Sequence, residues 1–256
     1  MKINELDGGI IYIEDAFPLH KEFIDAIELN DKNEEITSII PSWEDWMDGK
    51  PIDGVWMPTE QRGYVKQVNW DYSMNRKNSN WPRTEVGPYH SSSHLEAYNI
   101  LKMIDEPYKQ VLDIWYEKTG NKKLDWITKN YTIKKYKTNQ AIGKHSDRDH
   151  DHERNTYDWT VLIYLNDDYT GGEILFNDLG HRLAPKAGSV LFFPSDEVHE
   201  ATEVFSGNKY FIFLYIHSEY GICHSLYENF YELIQEKLGN FNKQHYDPGS
   251  NTSYMS

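Results

Sequence analysis

Cysteine is almost missing from this chain. The single one, Cys223, excludes an internal disulfide and any metal cluster made of cysteine alone, and it agrees with a reducing compartment. Runs of basic residues are missing too. The 26 Lys and Arg are outnumbered by 41 Asp and Glu, for a formal charge of −15. Such a surface repels a phosphate backbone, so nucleic acid is not an expected partner, whereas a basic peptide or a small polar molecule suits it. No apolar run approaches the ~20 residues of a membrane helix. Residues 1–9 mix charges without the apolar stretch of a secretion signal. The expectation is a soluble, cytoplasmic protein with no membrane partner and an oligomeric state that the sequence does not indicate.

What the chain does have is apolar and aromatic material for a large core, 39% hydrophobic and 14% aromatic in 256 residues. All-β domains commonly reach roughly 200–250 residues as one unit, so one domain over 1–239 is expected, with a loosely ordered tail over 240–256. A β-rich run, Gly9–Asp15, leads into Phe23, Ile24 and Ile27 at helical spacing, with Asn30 as a stop. Residues 37–93 carry five of the eight tryptophans and several prolines but little periodicity. They read as an irregular stretch, either a layer of tryptophans covering the core or a substrate lid containing Trp56 and Trp70. Helical periodicity returns from about His94 to Lys118, where Pro107 is expected to kink or divide the helix and Gly120 to end it. A last helix is expected over about 225–238, opened by the capping box Ser225-Leu226-Tyr227-Glu228.

Between about 124 and 217 the pattern is β. Short runs at Trp126–Tyr136, Tyr157–Asn166, Glu173–Phe176, His181–Pro185, Ser189–Phe193, His199–Val204 and Lys209–His217 alternate with turn signals such as Thr170-Gly171-Gly172 and Ser206-Gly207-Asn208. The fold class is α+β, mainly β: an antiparallel sandwich or barrel, jelly-roll included, with the helices on one face.

Chemistry-bearing residues sit in that β region. His145 and Asp147 are two residues apart, so an extended segment points both to one side, and His199 follows on a later strand. Two imidazoles and a carboxylate are the ligand set of a non-haem Fe(II) centre with open positions. A His-x-Asp pair is common by chance, and an isolated His199 would ordinarily be a structural residue. The neighbouring Asp149, His150, Asp151, His152 and Glu153 read as a solvated charged loop. Lys209, set among Val204, Phe205, Tyr210, Phe211 and Phe213, needs an anionic partner if it points inward.

Taken together, His145-x-Asp147, Tyr164-Leu165-Asn166, Gly171-Gly172-Glu173, Pro185-x-x-Gly188, Phe193, His199 and Lys209 resemble the Fe(II)/2-oxoglutarate oxygenases of the prolyl 4-hydroxylase type. The resemblance implies a double-stranded β-helix (jelly-roll) core over about 124–217. It implies Fe(II) held by His145, Asp147 and His199, with 2-oxoglutarate as cosubstrate and ascorbate as a reductant. Lys209 would pair with the far carboxylate of 2-oxoglutarate, helped by Tyr164, and Tyr136 would line the same pocket or simply pack in the core. Implied too are O2 and a proline-containing peptide or protein substrate, with succinate as coproduct. A free amino acid, a lysyl residue or another small molecule is the alternative substrate class. A non-catalytic jelly-roll module is a further alternative, although it predicts loss of a ligand or of the basic anchor. The charge disfavours a nucleic-acid demethylase. Tyr215 stands where many relatives carry tryptophan, which leaves the substrate's shape open.

Overall fold

The structure, a computed structural model, describes residues 1–33, 40–52, 55–70, 92–121, 126–127, 129–148, 158–217 and 222–224. The chain opens with β1 (Lys2–Glu5), β2 (Ile11–Glu14) and α1 (His20–Leu29). A hairpin of β3 (Glu44–Ile52) and β4 (Val55–Trp70) and the helix α2 (Ser92–Thr119) follow. The β half comprises β5 (Trp126–Ile127), β6 (Lys129–Tyr136), β7 (Ile142–His145), β8 (Trp159–Tyr164), β9 (Thr170–Gly171) and β10 (Ile174–Phe176). It continues with β11 (His181–Leu183), β12 (Ser189–Pro194), β13 (His199–Ala201), β14 (Val204–Ser206), β15 (Lys209–His217) and β16 (Ile222–His224).

The main sheet has the order β1-β2-β12-β8-β15-β6-β4-β3, with β16 and β5 attached beside β15. A smaller sheet, β11-β10-β13-β7, faces it, and β14 pairs with β9. This is a jelly-roll core. Strand alternation decides what lies on each face of the main sheet. Val161, Ile163, Val190, Phe192, Ile212 and Leu214 point to the helices and pack with Phe23 and Ile27 of α1 and Ile100, Leu101, Val111 and Trp115 of α2. Leu162, Tyr164, Leu191, Phe193 and Phe211 point the other way, against Ile174 and Phe176 of the small sheet. Strands covered on both faces need apolar residues in both parities, which is why Trp159–Tyr164 reads as one nearly continuous apolar run. Full burial of each such side chain contributes about 1.5–3 kcal/mol.

Two sequence expectations are corrected. Residues 44–52 and 55–70, read as irregular, form a long hairpin whose β4 also pairs with β6 from Tyr64 to Trp70. Prolines hid it. Pro51 lies on the sheet's last strand, and Pro58 lies outside the stretch of β4 that pairs with β6, so each sits where a missing N–H is tolerated. Register shifts at Trp46/Met47 and Asp48/Gly49 further blur the alternation. Pro107 does not divide its helix: α2 runs unbroken past it. Ile104 and Tyr108 on either side are both buried in the helix-facing core, so packing holds the helix across the lost hydrogen bond. Gly120, at φ 70°, ends the helix as expected. The side chains of Trp56 and Trp70, residues 149–153 and the expected C-terminal helix and tail lie outside the described residues. Within the described residues no helix is long and apolar enough to cross a membrane.

Candidate active site

Strand pairing assembles the three expected ligands. β7 ends at His145 and β13 begins at His199, and these two residues face each other directly across the small sheet. Their rings lie 4.4 Å apart between centroids. Asp147 follows in the bend after β7, with Oδ1 3.6 Å from His145 Nε2 and Oδ2 3.7 Å from His199 Nε2. The donor atoms of all three lie within 4.8 Å of one another, close enough for one cation to touch them all.

Surrounding groups fix the orientation of these ligands. His145 Nδ1–H donates to the Gly143 carbonyl at 2.8 Å and His199 Nδ1–H to the Glu197 carbonyl at 2.9 Å. A carbonyl can only accept, so both rings carry a proton on Nδ1 and turn Nε2 toward the site. The Thr160 hydroxyl donates to Asp147 Oδ2 at 2.7 Å and stands 3.0 Å from the Ser195 hydroxyl. Phe193 and Phe176 pack against the His199 ring at 4.7 and 5.9 Å. Burial pushes the His199 imidazole down, against the pull of Asp147. Burial also pushes the Asp147 carboxyl up, but His199, His145 and the Thr160 hydroxyl together hold it below its usual range. Two imidazoles and one carboxylate are a donor set that suits a divalent metal.

Lys209 lies at the other end of the same interior. It opens β15 opposite Tyr136 of β6 and is 2% exposed. Its Nζ donates to the Gly172 carbonyl at 2.6 Å. Four rings surround the ammonium at 5.3–5.9 Å: Tyr164, Phe211, Tyr136 and Tyr169. Burial pushes it down to about 7. Close by, the Tyr164 hydroxyl is buried without a hydrogen-bond partner among the described residues. A buried ammonium and an unmatched phenol, each costly to desolvate, suit a carboxylate that accepts from both. Thr160, bonded to Asp147, and Tyr164, beside Lys209, share one face of β8. Their separation along the strand is about 13 Å.

The structure thus brings His145, Asp147 and His199 together, gathers Lys209, Tyr164 and Tyr136 into a second cluster, and joins the two through one strand. Tyr169 belongs to the second cluster and is the residue the sequence reading missed. The aspartates and threonine around it (Asp167, Asp168, Thr170) mark a turn, and nothing local says that its ring folds inward. Tyr215 stands opposite Thr160 on β15, with Phe213 packed edge-on at 4.5 Å.

The sequence pattern of the 2OG-Fe(II) oxygenase superfamily matches residues 131–217, a segment that contains every residue of both clusters. Over 65 residues the chain is 34% identical to a PKHD-type hydroxylase of Nitrosomonas europaea, a match covering 24% of this chain and 29% of that relative. The chain therefore spans less than a third of that relative's length. A prolyl hydroxylase from Trichoplax adhaerens, solved in complex with a hypoxia inducible factor oxygen degradation domain peptide fragment, shares the fold. Its TM-score is 0.53 at 17% identity, covering 84% of this chain and 86% of that one. A 2OG-Fe(II) oxygenase family oxidoreductase from Burkholderia pseudomallei gives a TM-score of 0.49 at 18% identity, covering 82% and 85%. Over residues 131–217 the chain is thus similar to the 2OG-Fe(II) oxygenase superfamily. That superfamily implies Fe(II) and 2-oxoglutarate, and the His145–Asp147–His199 donor set is compatible with iron.

Proposed function

We propose that this chain is an Fe(II)- and 2-oxoglutarate-dependent dioxygenase that hydroxylates a prolyl residue of a peptide or protein. The observation that carries the reading is the pairing, within one barrel, of a His145–Asp147–His199 triad with a buried cation at the far end. His145, Asp147 and His199 would hold the metal on one side, and Lys209 and Tyr164 would hold the cosubstrate's far carboxylate. When bound, the metal supplies the coupling of dioxygen reduction to decarboxylation of 2-oxoglutarate, yielding succinate, carbon dioxide and hydroxylated product.

The chain's own contribution is placement. Thr160 fixes the Asp147 carboxylate, the two backbone carbonyls aim the imidazoles, and Phe193, Phe176 and Phe211 wall the interior against water. Lys209 and Tyr164 set how far from the triad a dicarboxylate stops, and so which of its ends reaches the metal. Support for a peptide substrate comes from the Trichoplax neighbour, which was solved with a peptide, together with an acidic surface that favours basic segments. The single cysteine is the ground for placing the protein in the cytoplasm.

The test is incubation with Fe(II), 2-oxoglutarate, ascorbate, O2 and a library of proline-containing peptides. Succinate release with one oxygen added to a prolyl ring is the expected outcome. Succinate release only with free amino acids or lysyl peptides would overturn the prolyl assignment. Failure to bind 2-oxoglutarate in the presence of metal would overturn the oxygenase reading.

A further inference from the structure

The carboxylate pocket contains one polar group more than Lys209 and Tyr164 account for. The Tyr169 hydroxyl is buried and, like that of Tyr164, meets no hydrogen-bond partner among the described residues. Its ring lies 5.9 Å from Lys209 Nζ, while the Tyr164 ring lies 5.3 Å from the same atom. Buried polar atoms in folded proteins are almost always matched. Two unmatched phenols beside one buried ammonium therefore point to a polar occupant shared by all three.

The surrounding chain is built to bring Tyr169 there. Gly171 and Gly172 take φ of 74° and 66°, a region open to glycine and strained for other residues. A Cβ on Gly172 would lie 3.0 Å from Tyr169 Cε2 and 3.2 Å from Lys209 Cδ, so its absence is what lets ring and lysine close over the same backbone. Behind Tyr169, a Cβ on Gly207 would lie 3.2 Å from Tyr169 Cβ. Short bonds pin the loop on both sides: Asn166 Nδ2 donates to the Asn208 carbonyl at 2.7 Å, the Thr170 and Ser206 hydroxyls meet at 2.8 Å, and Gly172 N–H donates to the Glu203 carbonyl at 2.9 Å. Tyr169 is thus held in place. Burial and the nearby Asp167 and Asp168 keep its phenol protonated, so that it offers a neutral donor.

We infer that Tyr169 is a cosubstrate-binding residue, donating a hydrogen bond to the far carboxylate of 2-oxoglutarate together with Lys209 and Tyr164. The inference rests on the oxygenase reading above. An ammonium and two phenols on one carboxylate balance its charge once and match its remaining lone pairs with neutral donors. Such an arrangement selects for a dicarboxylate over a 2-oxo acid with an apolar tail. The double glycine of the sequence acquires a definite task in this account, that of seating the tyrosine against the lysine.

The test is anaerobic calorimetry of the Mn(II)-loaded full chain with two ligands, 2-oxoglutarate and 2-oxobutyrate, the second able to chelate metal but lacking a far carboxylate. Tyr169→Phe removes only the hydroxyl oxygen. Its expected effect is about a tenfold loss of affinity for 2-oxoglutarate with 2-oxobutyrate unchanged, in line with a bond to a charged acceptor. Equal affinities of wild type and variant for 2-oxoglutarate would overturn the inference. So would an equal loss for both ligands, the mark of a purely structural tyrosine. A general folding defect cancels in the ratio of the two affinities, which keeps the comparison decisive even if the variant melts lower. If the wild-type protein binds neither ligand, it is the oxygenase reading that falls.

Discussion

Two lysines, Lys66 on β4 and Lys209 on β15, are buried on opposite faces of the same sheet, and they are solved differently. Lys66 faces the helices and is completed by the protein itself. It pairs with Asp31, donates to the Pro41 carbonyl at 2.9 Å and lies 4.7 Å from the Trp43 ring, which Lys135 also approaches, at 4.2 Å. Trp43 is in turn tied to Glu28 through Nε1 at 2.9 Å, so this tryptophan covers the core and braces the end of α1. Burial pushes the Lys66 ammonium down, but Asp31 pulls it back. For Lys209 burial stands alone as the cause, and its ammonium donates to a neutral carbonyl, that of Gly172. A charge matched by the protein is architecture. A charge matched to a carbonyl, with unpartnered phenols beside it, is built for a ligand.

The contrast breaks most sharply at Lys209. Lys209→Ala should raise the 2-oxoglutarate requirement about 100-fold, as truncating one side of a buried charge pair does, while the Fe(II) requirement stays near wild type. Titrating each in a succinate-release assay separates the two, and a matched rise in both would make Lys209 a structural residue. Lys66→Met should do the reverse. Loss of its bonds should cost about 1–3 kcal/mol, seen as a melting temperature lower by roughly 5 °C, with 2-oxoglutarate affinity unchanged. A weakened affinity without a melting shift would erase the distinction between the two lysines.

The smallest effect is in pH. A lysine ionises near 10.4 in an unfolded chain, and Lys209 ionises at about 7 in the folded one. Between those values the unfolded chain holds a proton that the folded chain has released, so ligand-free stability rises with pH across that window. Below about 7 both states are protonated and above about 10.4 both are neutral, and the slope vanishes. Melting curves from pH 7 to 9 should therefore climb more for wild type than for Lys209→Met, by at most about 1.4 kcal/mol per pH unit. Parallel curves would mean that Lys209 keeps its proton without a ligand.

Much of the site could be read from the chain, and for a physical reason. His145 and Asp147 are two residues apart, so strand alternation puts them on one side, whereas His199 and Lys209 took their roles from the family resemblance and the direction of Lys209 was left open by its own strand. What could not be read depends on contacts from elsewhere. Tyr169 sits among turn residues with no alternation to orient it, and its inward direction is set by two glycines and the Ser206–Asn208 turn. The β3–β4 hairpin was hidden because prolines break a strand pattern everywhere except at positions that only sheet order reveals. That the helix is not divided at Pro107 was hidden because the packing on either side of it is tertiary.

By itself the sequence determined the candidate ligand types, their order and the shared side of His145 and Asp147, because those are local properties of residue and spacing. It also determined that the surface is acidic and that one cysteine can make no bridge. Only the tertiary structure decided that His145 pairs with His199 across the small sheet, that Lys66 meets Asp31 while Lys209 meets a carbonyl, and that two phenols share the buried lysine's pocket. Those outcomes depend on which strands become neighbours, and the free energy that selects the neighbours comes from burying both faces of the main sheet at once.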